Sequence, residues 1–213
     1  SLEALQKVCD ERGILLAVAT APNKEEMYAE WMPTTYDIQA EPKRAQLFYE
    51  YMQKNSKVHY EYLKDALSEV KKVFPVYYKQ DTHWNNVGGY VGTMQLYQAV
   101  GLPTVNIFDL YEAGLVTKGT HSGGDLAGFV GKSASYTDFH VNYKSAVSAS
   151  SKGYTNHVIG NGNTSELTVY TNAKGNGKKV VLIADSYRHL MEDYIKRDFD
   201  KATIAHRQEI EPR

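Results

Sequence analysis

Apolar and polar positions along the chain change rhythm several times, and each change marks an element. Leu2, Leu5 and Val8, with Cys9 beside them, recur at the spacing of one helical face, and Gly13 punctuates the end. Residues 14–19 follow as an unbroken apolar run, which predicts a fully buried strand. A helix, a glycine and a short apolar run make the αβ step of a parallel sheet. Residues 20–24 then form the loop at that strand's C-terminal end, where open α/β sheets line their ligand crevices. Residues 27–32 read as a short helix stopped by Pro33. Residues 43–54 read as an amphipathic helix with Leu47 and Tyr51 on its apolar stripe, and 58–63 as a short strand. Leu63, Ala66, Leu67, Val70 and Phe74 follow a period of about 3.6 and predict the next helix. Pro75 ends it, and Val76, Tyr77 and Tyr78 restart as a strand. Residues 81–85 are a loop, followed by a helix from about 86 to 100. Gly88 and Gly89 fall early in that helix, where they permit close backbone approach.

After residue 103 the texture changes. Residues 104–178 are rich in Gly, Ser, Thr, Asn and Tyr, with period-2 stretches at 136–141 and 167–170. They read as a β-rich insertion, with a flexible turn at 172–178. Residues 179–184 are a second apolar run, predicted as a second buried strand. It runs into Asp185-Ser186, a helix over 187–199 and a further strand from 202. The expected fold is α/β: one domain over 1–213, a mostly parallel sheet with helices on both faces, and no internal repeat.

Composition narrows the function. With 213 residues, 42% apolar and 23% charged, the chain is long enough for a real core. Lys plus Arg number 24 and Asp plus Glu 25, a net charge of −1, which excludes a basic nucleic-acid module and an acidic disordered tail. No nucleic-acid partner is expected. One cysteine, Cys9, excludes a disulfide framework within the chain and any multi-cysteine metal site. The longest apolar run is too short for a signal segment or a bilayer span. The chain opens in helical pattern and stops at Arg213 without a closing element, so a fragment of a longer protein is expected. Its 17 tyrosines fit a polar, sugar-facing cleft and fit strands equally.

Two places carry candidate chemistry. Asp81 and His83, two residues apart on one loop, allow a carboxylate to fix an imidazole's tautomer and stabilise the imidazolium formed in proton transfer. The same string also suits a helix-capping Asp and a surface His. Ser186 comes where a buried strand meets a helix, and a helix N-terminus offers N–H groups and a positive dipole end to an oxyanion. Ser186 or Asp185 also suits an ordinary N-cap. Both places lie at predicted C-terminal strand ends, one edge of a parallel sheet, so the groups can meet as a Ser-His-Asp hydrolase or acyltransferase requires.

The run YYKQDTHWNNVGGYVG (77–92), the run SGGDLA (122–127) and LIADSYRHL (182–190) resemble the SGNH-hydrolase-like domain of the alginate O-acetyltransferases and the related bacterial DHHW proteins. Ala21-Pro22-Asn23-Lys24, Tyr28 and Pro33 are similar to that family's N-terminal segment. The Asp-x-His motif precedes the serine, as in that family and opposite to ordinary SGNH esterases. The resemblance implies Ser186 as nucleophile, His83 as general base and Asp81 as orienting carboxylate. It also implies a bacterial, extracytoplasmic protein that acetylates or deacetylates a cell-surface or secreted polysaccharide without metal or organic cofactor. The acetyl donor would come from a membrane-protein partner or a small ester. Thr82 stands where the DHHW name has His, and Ala184 where glycine is usual before Asp-Ser.

Other residues carry two readings. Backbone N–H groups at Ser186 and Tyr187 suit the oxyanion, with Asn85 or Arg188 as helpers. Trp84 suits stacking on a sugar or packing beneath the loop. Lys24 suits an anionic substrate or open solvent. Asp125 suits the site or a helix cap beside it. His59, His121, His140, His157, His189 and His206 show no metal-ligand spacing. A non-catalytic SGNH-like module that binds glycan or a partner is the rival from another class; a lipase-type esterase with an apolar acyl pocket is a third reading.

Overall fold

The computed structural model describes residues 1–33, 42–143, 158–159, 163–164 and 168–206. Helix α1 (Leu2–Glu11) is capped by the Ser1 hydroxyl, which accepts the Ala4 N–H, and the chain leaves it through Gly13 at φ +64°. Strand β1 (Ala17–Thr20) pairs in parallel with β2 (His59–Tyr62), Val18 opposite Tyr60. Between them come α2 (Lys24–Met27), a 3-10 turn over Ala29–Trp31, and α3 (Arg44–Asn55). Helix α4 (Lys64–Lys71) and the long α5 (Asn86–Ala99) follow β2. Then come α6 (Ile107–Glu112), β3 (Val116–His121), α7 (Asp125–Phe129) and β4 (Tyr136–Val141), with β3 and β4 forming an antiparallel hairpin. A small antiparallel pair, β5 (Val158–Ile159) and β6 (Asn163–Thr164), precedes β7 (Thr168–Thr171). Strand β8 (Lys179–Ala184) leads into a 3-10 turn over Ser186–Arg188, helix α8 (His189–Asp198) and β9 (Lys201–His206).

The α/β class follows the pattern in the sequence, and the strands expected to run parallel do so: β1 with β2, and β8 with β9. Among the described residues the strands form four small sheets rather than one, and the order of the largest is β7-β9-β8. Helices cover both faces of β1–β2. Val18 and Tyr60 pack with Met52 of α3, Leu2 and Leu16, while Ala19 belongs to the main core built around α5. The stretch read as a β-rich insertion also holds two helices, α6 and α7, and β7 within it leaves the insertion to pair antiparallel with β9. No described helix is long and apolar enough to cross a membrane.

Two expectations of full burial fail. Ile14 and Leu15 precede β1 and are 52% and 67% exposed, so only the end of that apolar run is strand. In β8, Val180 and Leu182 pack against the core while Val181 and Ile183 are 66% and 54% exposed. The reason is position: β8 is the edge of its sheet, and successive side chains face opposite sides. On α3 the predicted stripe is likewise turned outward, since Leu47 and Tyr51 are exposed and Met52 is the buried residue.

Helix α5 holds the core together. Nearly every residue of its first two turns is buried, because α4, β1, β2, β4 and α8 all pack against it. Glycines make this density attainable. A Cβ on Gly89 would lie 2.5 Å from Leu190 Cβ, one on Gly88 2.7 Å from Trp84 Cβ, and one on Gly92 2.7 Å from the Trp84 ring. Gly89→Val is therefore expected to lower unfolding stability by about 1–3 kcal/mol through overpacking, read as a lower urea midpoint at unchanged slope. Gly128→Ala, where an added Cβ meets nothing within 4 Å, is expected to leave that midpoint within about 0.5 kcal/mol of wild type.

Candidate active site

The segment from Val76 to Asn85 folds back on itself. Tyr77 and Trp84 form an antiparallel bridge, the Tyr78 N–H donates to the His83 carbonyl at 3.2 Å, and the Asn85 N–H donates to the Val76 carbonyl at 3.1 Å. Asn85 anchors the closed end. Its side-chain oxygen caps α5 by accepting the Gly88 N–H at 3.0 Å, and its amide nitrogen donates to the Pro75 carbonyl and to Asp138 Oδ1 at 2.8 and 2.7 Å. Asp81 and His83 project from the turn so formed. From the other side, β8 ends at Ala184 and Ser186 opens the 3-10 turn before α8.

These elements bring Asp81 and His83 together with Ser186, more than a hundred positions further along the sequence. His83 Nε2 lies 2.7 Å from Ser186 Oγ, and His83 Nδ1 lies 2.6 Å from Asp81 Oδ1. One tautomer satisfies both contacts: the Nδ1 proton on Asp81, and the Nε2 lone pair facing the serine hydroxyl. Asp81 is held by more than the imidazole. Its Oδ1 also accepts the His83 N–H at 2.8 Å, and its Oδ2 accepts the Asp125 N–H at 3.0 Å. Burial works to raise the Asp81 pKa, but the hydrogen bonds from His83 and Asp125 outweigh it and hold the carboxyl below its ordinary value of 3.8. The His83 and Asp81 side chains keep 27% and 20% of their surface open, so a small molecule can reach them.

A second layer braces the loop. Asp125, the first residue of α7, accepts the Thr82 N–H at 2.7 Å and the Thr82 hydroxyl on its other oxygen. Gly124 before it has φ +129°, and a Cβ there would lie 2.8 Å from Asp81 Cβ, so glycine lets the two loops touch. Sequence reasoning noticed Asp125 but missed its partner, Thr82. The signal available was the Gly-Gly-Asp run, which marks a close backbone approach without saying to what. Asp81, His83 and Asp125 have donor atoms within 4.8 Å of one another, the spacing of a cation site among the described residues. Those atoms are already engaged: Nδ1 with Asp81, Nε2 with Ser186, and the Asp125 oxygens with Thr82.

The remaining candidates serve the loop and the serine turn, Trp84 in the second of its two readings. Trp84 is 2% exposed and donates its indole N–H to the Tyr187 carbonyl at 2.8 Å, so it packs under the loop and offers no face to a sugar. Asn85 is fully buried with both ends of its amide used, which removes it from oxyanion binding. Arg188 is 3% exposed and lies along α8 against Glu192 and His189. The Tyr187 N–H is taken by Asp185 Oδ1 at 3.1 Å, the Arg188 N–H by the Asp185 carbonyl, and the Tyr187 hydroxyl donates to the Thr82 carbonyl. Its ring lies 5.1 Å from the His83 ring, and burial first of all pushes its phenol up to about 12. The Lys24 ammonium points into the loop, donating to the carbonyls of Tyr78, Lys79 and Asp81, and not toward a substrate.

The lowered Asp81 pKa fixes the sign of a pH effect. A carboxyl more acidic in the native than in the unfolded chain stabilises the fold above the unfolded value, about 3.9, and that stability is lost as pH falls through the native value. The melting-temperature gap between wild type and Asp81→Asn is therefore expected to be constant near neutrality and to shrink only below about pH 4, as followed by circular dichroism.

No curated protein matches the sequence. Among solved structures, a DHHW family protein from Eubacterium siraeum superposes with a TM-score of 0.60 at 15% identity, over 95% of this chain and 73% of that one. PatB1 from Bacillus cereus superposes at 0.59 and 15% identity, over 100% and 80%. The O-acetyltransferase domain of Pseudomonas putida AlgJ superposes at 0.51 and 15% identity, over 96% and 66%. At these identities the likeness is one of fold. The family described as the SGNH hydrolase-like domain of the acetyltransferase AlgX matches residues 1–163, and with that match, the shared fold and the motifs in their permuted order, the chain belongs to this SGNH hydrolase-like acetyltransferase family.

Proposed function

We propose that this protein is a serine-dependent O-acetyltransferase or acetylesterase acting on a cell-surface or secreted polysaccharide through an acetyl-serine intermediate. The observation that carries the reading is the unbroken chain of short contacts from Asp81 through His83 to Ser186, all three of them half-buried. In the first half-reaction the Ser186 oxygen attacks the acetyl carbonyl carbon while His83 Nε2 takes the hydroxyl proton. The bond from that carbon to the donor's oxygen breaks, and His83 returns the proton to the departing oxygen. In the second half a sugar hydroxyl, or water, attacks the acetyl-serine and gives its proton to His83, the bond from the acetyl carbon to the Ser186 oxygen breaks, and His83 passes the proton to that oxygen. Asp81 holds the Nδ1 proton throughout and stabilises the imidazolium in each half.

With the Tyr187 and Arg188 amides already used by Asp185, the Ser186 N–H is the amide of that turn assigned to the oxyanion. The reading is of one SGNH-like domain, and the steps as written use neither metal nor organic cofactor. The acetyl group is delivered by a membrane-protein partner or a small ester, and the site of action is extracytoplasmic. The donor and the place of action extend the reading through the resemblance of the sequence motifs to the alginate O-acetyltransferases and DHHW proteins.

Incubation with p-nitrophenyl acetate tests the reading. Intact-mass analysis is expected to find a single acetyl adduct on the wild-type chain and none on Ser186→Ala. The acylation rate of His83→Ala is expected to fall by about a thousandfold or more. A wild-type chain that behaves like both variants would overturn the enzyme reading in favour of a module that binds glycan without turnover. Faster reaction with long acyl esters than with acetate would instead favour a lipase-type esterase.

A further inference from the structure

We infer that Lys24 is a positioning residue for the acyl-transfer site: its ammonium holds the loop bearing Asp81 and His83 in register with Ser186 and takes no part in binding substrate. The inference rests on the reading of Ser186, His83 and Asp81 as the reacting triad. An ammonium has three protons, and here each has an acceptor: the carbonyls of Tyr78 at 2.7 Å, Lys79 at 3.1 Å and Asp81 at 2.7 Å. The one carbonyl of that turn left over, Gln80, accepts the Ala127 N–H at 3.2 Å. All four carbonyls from Tyr78 to Asp81 are thus satisfied, three of them by one side chain more than fifty positions away.

Three carbonyl oxygens directed at one point repel each other, and the repulsion is offset by a cation with three protons at that point. Lys24 supplies it from the first position of α2, just beyond β1. The same loop makes a second contact, since the Tyr77 hydroxyl donates to the Pro22 carbonyl. The turn is therefore clamped from two sides. Lys24 grips its carbonyls, while Asp125 and Gly124 grip Thr82 and the far oxygen of Asp81. The charges fit as well. Burial presses the Lys24 ammonium toward neutrality, and the nearby Asp81, Asp125 and Glu25 carboxylates oppose that. With every proton committed to backbone, Lys24 has none for a substrate anion. Its influence on chemistry runs through the placing of Asp81 and His83.

The test compares Lys24→Met and Lys24→Arg with wild type by two independent readouts. The first is the rate of acylation by p-nitrophenyl acetate as a function of ester concentration. The second is the downfield proton resonance of the His83 Nδ1–H···Asp81 hydrogen bond, recorded in a Ser186→Ala background that needs no turnover. Lys24→Met is expected to lower the maximal acylation rate about 10- to 100-fold, as an ångström of misplacement does, with KM within twofold of wild type. Its downfield resonance is expected to broaden or vanish. Lys24→Arg is expected to recover only part of both, because a planar guanidinium cannot aim three protons at carbonyls that converge on one nitrogen. A raised KM at unchanged maximal rate would make Lys24 a substrate contact and overturn the inference. So would wild-type rate and resonance in either variant. If circular dichroism shows Lys24→Met unfolded, Lys24→Arg decides by the same two readouts. Failure of the wild-type chain to acylate would count against the proposed function, while the resonance would still judge Lys24.

Discussion

The approach of helix α5 to helix α8 governs the site. His83 ends the turn that leads into α5, and Ser186 begins the turn that leads into α8, so the spacing of the two helix starts sets how near His83 and Ser186 come. That approach is set where Gly89 lies against Leu190, with no room for a Cβ between them. Trp84 spans the same junction, packed beneath α5 and bonded through its indole N–H to the Tyr187 carbonyl. Close packing transmits small displacements rather than absorbing them, so a site assembled across such a junction inherits its precision from the core.

Polar groups then refine what packing sets roughly. Besides its own internal bonds, the turn from Tyr78 to His83 is held from a distance: by Lys24 from beyond β1, Asp125 from α7 and Tyr187 from the serine turn. Asn85 ties the end of the turn to Asp138 on β4 and to the start of α5 at once. A loop so bound can carry a carboxylate and an imidazole without the freedom that loops usually have. The bonds from His83 and Asp125 keep the Asp81 pKa lowered, because each donor aimed at its oxygens favours the charged form against the cost of burial.

The five residues first considered as substrate or oxyanion contacts share one lesson. Trp84, Asn85 and Arg188 are polar or amphipathic neighbours of His83 or Ser186, and all three are buried supports. Tyr187 and Lys24 remain partly open, yet their donors are spent on the turn. Residues adjacent in sequence to a catalytic group are the ones whose backbone must be fixed most tightly, so their side chains are drawn into bracing it.

The sequence by itself determined the α/β class, the order of the main elements, and the two strings that hold Asp81, His83 and Ser186. Those are local properties: helical period in α4, glycines early in α5, an apolar run ending in Asp-Ser. Tertiary structure alone decided which apolar runs are covered on two faces. Residues 14–19 and 179–184 read alike as buried strands, yet Leu15, Val181 and Ile183 face outward because burial depends on what neighbours an edge. It alone decided that Lys24 meets the carbonyls of residues 78–81 and that Thr82 meets Asp125, since a hydrogen bond between distant segments leaves no periodic trace in either one. Pattern reports what a residue's own element requires of it; the partner across a loop closure is chosen only when the chain has folded.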